Sequence, residues 1–184
     1  MNFHIYDSIK EQALNHSNKR IEFEFDRFGL NLVERKSMIL IGTIGQLVFK
    51  SYLENLNIKY DFEFQAGNFD EIDFKIYNKI IEIKTSGFDD YYSGLNLLYS
   101  EGQFQRGLRK GYAYCVQIFI NGYQQSKKIL DLERCDLAII SGYIEFSKIG
   151  NFKNQRKYYA DDYKVPLKNL KSINLLISEL RQYE

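Results

Sequence analysis

Residues 71–87 read EIDFKIYNKIIEIKTSG, and their pattern decides the fold class. Polar and apolar side chains alternate from Asp73 to Tyr77 and again from Ile80 to Lys84, which is the period of a half-buried strand. Asn78 and Lys79 interrupt the alternation. Asn tolerates the positive φ of a tight turn, so the segment reads as a β-hairpin. A two-residue loop at 78–79 sets Tyr77 across from Ile80, Lys75 across from Glu82 and Asp73 across from Lys84. Phe74, Ile76, Ile81 and Ile83 then share the opposite, apolar face. One face of the hairpin is expected to join a core and the other to carry charge.

That charged face admits two readings. Outer strand faces are commonly charged, and an exposed cross-strand ion pair is worth at most about 1 kcal/mol. Alternatively, two carboxylates and an ammonium gathered on paired strands make a site for phosphodiester chemistry. Mg²⁺ takes hard oxygen ligands and is commonly held by one or two carboxylates with water and phosphate, which suits Asp73 and Glu82. Lys84 would orient the attacking water and neutralise charge building up on phosphorus. Asp70 and Glu71 compete with Asp73. Glu71 has the parity of Asp73 and Asp70 does not, and the hairpin register favours Asp73.

Asp73, followed nine residues on by Glu82, then Ile83 and Lys84, resembles the D…ExK signature of the PD-(D/E)xK nuclease superfamily. That superfamily includes many restriction endonucleases and archaeal Holliday junction resolvases. Ile72 stands where the nominal proline of the motif would be. The resemblance implies an α/β, restriction endonuclease-like αβββαβ core, with a mixed central sheet flanked by helices. It also implies Mg²⁺, with Mn²⁺ substituting, held by Asp73, Glu82 and the main-chain carbonyl of Ile83, and it implies DNA as the substrate. In the superfamily the helix before the motif often brings a Glu to the metal. The matching position here is Gln46, within GTIGQLVFKSYL, which offers a carbonyl without charge, so one metal is expected rather than two. The implied activity is restriction-like or homing-type double-strand cleavage, with junction resolution as the alternative. A non-catalytic DNA-binding module on the same fold is the reading from another class. One site per domain implies a homodimer for cutting both strands.

Composition agrees with a compact domain. The 184 residues are 45% hydrophobic, with no Pro/Gly/Ser-rich linker, and read as one domain over 1–184. Its core spans about 37–141, with additions at 1–36 and 142–184. No run of about 18 apolar residues suggests a membrane span, and residues 1–12 lack the apolar core of a secretion signal, so a cytoplasmic location is expected. Cys115 and Cys135 are isolated from each other and from histidine, which supports neither zinc nor a disulfide framework.

The 25 Lys and Arg against 24 Asp and Glu give a net charge of +1, which excludes a generic polyanion binder. DNA affinity must then be local. The clusters are Arg106, Arg109 and Lys110; Lys127 and Lys128; and Lys148, Lys153, Arg156 and Lys157, the last interleaved with Phe152, Tyr158 and Tyr159. Gln103 is a further candidate DNA or water contact.

Along the chain, residues 2–18 read as a helix carrying both histidines, His4 and His16, followed by a short extended segment at 23–25. A strong helix is expected over 37–55, capped by Ser37, with Ile41, Ile44, Val48 and Tyr52 in one stripe. Gly42 and Gly45 would let it lie close to a sheet. A strand at 58–65 and a turn at 66–69 precede the hairpin, and a loop over 85–100 follows it. Next come a helix over 101–110 ending at Gly111, a strand over 112–120, a turn at Asn121 and Gly122, and a strand over 136–141. In the 112–120 strand Gln117 shares a face with Cys115 and Phe119 as a buried polar residue. A final helix opened by Pro166 is expected to carry Leu167, Leu170, Ile173, Ile177 and Leu180.

Overall fold

The computed structural model describes residues 1–22, 29–62, 74–91, 94–154 and 162–183. Its centre is a mixed five-stranded sheet in the order β1-β8-β5-β3-β2. The strands are β1 (Asn2–His4), β2 (Phe74–Ile76), β3 (Lys79–Gly87), β5 (Tyr112–Ile120) and β8 (Leu137–Glu145). β3 and β5 run parallel, and the other neighbours pair antiparallel. A parallel pair needs a crossover, supplied here by β4 (Asn96–Tyr99) and helix α3 (Glu101–Lys110). β4 pairs with β9 (Tyr163–Pro166) in a small second sheet, and β6 (Tyr123–Gln124) pairs with β7 (Ile129–Leu130). The remaining helices are α1 (Asp7–Arg20), α2 (Leu32–Asn55) and α4 (Ile173–Arg181).

Because side chains alternate across a strand, the sheet divides two cores. Ile81, Ile83, Val116, Ile118 and Ile140 face the layer of α1, α2 and α4. Cys115 and Ile144 face a second cluster built from Leu97, Tyr99, Phe104, Phe146 and Val165. β5 is covered on both sides and is buried continuously from Cys115 to Ile120, as expected for a parallel strand at the centre of a layered sheet. Gln117 is fully buried among them, as its parity implied.

The apolar face of the hairpin forms as its alternation requires, with Phe74, Ile76, Ile81 and Ile83 all buried in the first core. Its register differs from the expected one. Tyr77 and Asn78 make the turn, Tyr77 taking φ +51°, so Lys75 pairs with Ile80 and Phe74 with Ile81. The shift moves the pairing by two residues and keeps parity, which is why the faces survive while the partners change. Asp73, together with Asp70 and Glu71, lies outside the described residues, as do the segments 23–25 and 66–69.

Other elements depart from the periodicity reading for local reasons. Residues 2–4 form β1, paired with residues 137–139 of β8, and the helix starts only at Asp7; three residues are too few for a period to show. α2 begins at Leu32, not Ser37. Asn31 accepts from the Glu34 amide at 3.0 Å, and the Glu34 carboxylate accepts from the Asn31 amide at 3.0 Å, a capping box. Ser37 is buried inside the helix and accepts from the Leu130 amide at 3.2 Å. Of the strand expected at 58–65, the described part contributes a single bridge, Asp61 to Lys75. The loop expected over 85–100 is instead the end of β3 followed by β4. β8 runs on past Ser141 to Glu145. Pro166 closes β9, and Leu167 and Leu170 sit in and after a 3₁₀ turn, so α4 starts at Ile173 and buries Ile173, Leu176, Ile177 and Leu180. The 101–110 helix and the 112–120 strand form at the expected bounds, with Gly111 closing α3 at φ +73°, a left-handed cap that suits glycine.

Replacing Asn31 with alanine is expected to cost about 1 kcal/mol, because the side-chain acceptor of the Glu34 amide is lost while the backbone amide at position 31 can still donate to Glu34. Urea midpoints of the two proteins measure it.

Among the described residues, no helix is long and apolar enough to cross a membrane.

Candidate functional site

Glu82, Lys84 and Ser86 occupy alternate positions of β3, on the face turned away from α2 and toward α3. Both Glu82 and Lys84 are half-buried. The Lys84 ammonium donates to Gln103 Oε1 at 3.0 Å and lies 4.6 Å above the Tyr99 ring, a cation–π distance. Gln103 is fixed by the start of its own helix. Its amide donates to the Ser100 hydroxyl, and its Oε1 accepts from the Ser100 amide, each at 3.3 Å. The capping box that starts α3 therefore also anchors the lysine. The spacing Ser100-x-x-Gln103 is the sequence signal for this role.

Tyr99 ends β4 and is almost fully buried, at 1% exposure. Its hydroxyl donates to Glu82 Oε2 and lies 3.1 Å from Cys115 Sγ. Burial pushes the phenol far above its ordinary pKa, with the neighbouring Cys115 and Glu82 adding to the effect. A phenol has one proton. With that proton donated in the hydrogen bond to Glu82, the Tyr99 oxygen is left to accept from the Cys115 thiol. Sequence reasoning placed Tyr99 in a loop and missed it.

The other expected site residues are distributed as follows. Gln46 is half-buried on α2, in the layer across the sheet from α3. Its neighbour Gly45 is where α2 touches β3: a Cβ there would lie 1.8 Å from Thr85 Oγ1. Gly42, expected to share that role, has no atom within 4 Å of such a Cβ, so the close approach belongs to Gly45 alone of the two. The Ile83 side chain belongs to the first core. On α3, Gln103, Arg106 and Lys110 follow one another at three and four positions, a spacing that puts them on one face, with exposed Arg109 beside them. Lys153 donates to Glu101 Oε2 at 3.0 Å, Lys148 pairs with Glu145 at 2.8 Å, and Lys128 lies 4.0 Å from Glu34. Arg156 and Lys157 lie outside the described residues. Among the described residues, no group of three His, Cys, Asp or Glu side chains is gathered to hold a metal; Glu82 is the carboxylate next to Lys84.

Beyond Ser86, the end of β3 opens into a groove of about 1180 Å³, walled by Phe88, Phe119 and Tyr123 and flanked by Asp89, Asn96 and Lys164. Grooves at the carboxyl ends of parallel strands are common ligand positions in α/β sheets.

Glu101, the first residue of α3, accepts from Gln105 at 2.8 Å, Lys153 at 3.0 Å and Tyr163 at 2.9 Å. These hydrogen bonds hold its carboxyl down to about 2. A folded-state value below the unfolded one means that the unfolded chain binds more protons in between. The stabilisation is thus complete above about pH 4.5 and is lost as pH falls through about 2. Thermal midpoints of the native protein and Glu101→Gln are expected to differ at pH 6 and to converge near pH 2.

Comparison of the chain with protein-family models, curated proteins and solved structures finds no match.

Proposed function

We propose that this protein is a divalent-metal-dependent endodeoxyribonuclease with its reactive groups on β3. The observation that carries the proposal is the Lys84 ammonium, tied to Gln103 at 3.0 Å two residues along the same strand face from Glu82. A structural salt bridge would pair such a lysine with a carboxylate. Here a neutral amide holds it and leaves its charge uncompensated by that contact.

The donor chemistry fits a hard cation. One oxygen of Glu82 accepts from Tyr99, and carboxylate oxygens are the ligands that Mg²⁺ takes. Glu82 and Asp73, the residue before β2, would hold Mg²⁺ or Mn²⁺, with the Ile83 carbonyl as a further oxygen. When bound, the ion polarises the phosphoryl oxygen and makes water more acidic. Lys84 positions that water in line with phosphorus and offsets the charge that develops there. The new P–O bond forms as the bond to the 3′ oxygen breaks, leaving a 3′-hydroxyl and a 5′-phosphate.

Arg106, Arg109 and Lys110 on α3, with Gln103 among them, supply contacts to the phosphate backbone, joined by Lys153, Arg156 and Lys157. Such contacts position a duplex without reading its sequence. Two copies of the chain would cut both strands.

Incubation with supercoiled plasmid and with synthetic four-way junctions, each with Mg²⁺ and with EDTA, tests the proposal. Mg²⁺-dependent nicking or linearisation of the plasmid supports it, and preference for the junction would make the enzyme structure-specific. DNA binding without cleavage under any metal would instead mark a non-catalytic module.

A further inference from the structure

We infer that the groove at the end of β3 receives an unpaired nucleobase of the substrate, beside the phosphate that Lys84 serves. Its link to cleavage rests on the nuclease reading; the base site stands on the groove itself. Lys84 and Ser86 share one face of β3, and Ser86 borders the groove. Two residues of strand span roughly 7 Å, a distance that the sugar between a phosphate and its base covers.

The lining suits a flat ligand with a polar edge. Phe88, Phe119 and Tyr123 wall the groove. Tyr91, which is 41% exposed, stands edge-on against Phe88 at 5.5 Å and Phe119 at 5.8 Å, so the aromatic surface continues out to solvent. Rings of this kind stack on any base. Asn96, at the groove, donates its Nδ2 to the Gly94 carbonyl, which leaves Oδ1 to accept from a base. The Ser86 hydroxyl accepts from Gln117 Nε2 at 3.5 Å and keeps its own proton to donate. Lys164 is exposed at the groove and has no ion pair among the described residues, which suits a phosphate.

Gln117 is the second sign of a ligand. It is fully buried, between two strand neighbours of which Phe119 lines the groove, and its Oε1 has no hydrogen-bond partner. Buried polar atoms are nearly always paired, and an exception calls for a functional account. Here the carboxamide stands behind Ser86, where a polar ligand arrives. A base that enters such a groove must leave its stack, which costs least where it is already unpaired.

Saturation-transfer NMR in EDTA tests this, with the four deoxynucleoside 5′-monophosphates as probes and deoxyribose 5′-phosphate as the base-free control. Saturation is expected to reach the base protons most, and the control to bind at least about fivefold more weakly. Asn96→Ala and Tyr91→Ala should each weaken nucleotide binding about fivefold or more with circular dichroism unchanged; should one fail to fold, the other decides. Cleavage beside a single unpaired nucleotide should exceed cleavage of the matched duplex, and Asn96→Ala should narrow that preference. Native protein that binds no nucleotide overturns the inference, as does equal binding of the base-free control or unchanged affinity in the folded variants. Nucleotide binding that both variants weaken, in a protein that cuts no DNA, keeps the base site and ends the nuclease reading. Cleavage by a protein that binds no nucleotide does the reverse.

Discussion

Lys84→Ala is expected to lower DNA cleavage by about 10²–10³-fold, the usual loss when one preorganised donor is removed from developing charge. DNA affinity measured in EDTA should change little, because the basic residues of α3 remain. The size of the effect follows from how the ammonium is held. Gln103 Oε1 takes it at 3.0 Å while also accepting from the Ser100 amide at 3.3 Å, so the helix cap fixes the acceptor before substrate arrives. Preorganisation of this kind adds no reorganisation cost during the reaction. Lys84→Arg should restore little, because a guanidinium, although it also stacks on rings, is a longer, planar fork and does not reproduce a compact point donor. Single-turnover rates at saturating enzyme and excess Mg²⁺ separate the loss from any change in binding. A variant that cuts at the native rate would remove Lys84 from the chemistry.

How much of this could be read from the sequence depended on the range of each interaction. The hairpin faces were legible, since burial of Phe74, Ile76, Ile81 and Ile83 follows from parity alone. The register was not, because a two-residue loop at 77–78 and one at 78–79 give the same alternation. α3 and β5 were legible to the residue, with Gly111 as an unambiguous stop. β1 was not, because its three residues are held by β8, more than 130 positions away in sequence. The site divides the same way. Glu82 and Lys84 announce themselves by spacing, and Gln103 is visible through its capping box. Tyr99 is not, since nothing local distinguishes a tyrosine in the core from one of the many others; only the pairing of β4 with β9 turns its hydroxyl toward Glu82. Asp73 lies outside the described residues, so its role rests on the motif and on the experiment.

Gly45→Ala and Gly42→Ala should have opposite effects although they lie three residues apart on α2. At Gly42 a Cβ meets nothing within 4 Å, so alanine there gains only helix propensity and stabilises the protein by up to about 1 kcal/mol. At Gly45 the added carbon would lie 1.8 Å from Thr85 Oγ1 and 2.7 Å from both Thr85 Cβ and Cγ2. Rotating Thr85 relieves the contacts with Oγ1 and Cγ2 but not the one with Cβ, which the strand backbone fixes. The helix itself must then move off β3, and overpacking of this kind costs about 1–3 kcal/mol, more than the propensity gain returns. Thr85→Ala in the Gly45→Ala background leaves the Cβ contact in place and should recover little. Thr85→Gly removes it and should recover most of the loss beyond its own strand cost, a coupling that a double-mutant cycle reads directly. The effect extends to the site because β3 carries Glu82 and Lys84 on its other face. Displacement by an ångström can cost about 10²-fold in rate, so Gly45→Ala should impair cleavage even at temperatures where it stays folded. Equal stability and activity of the two glycine variants would mean that α2 does not set the position of the strand.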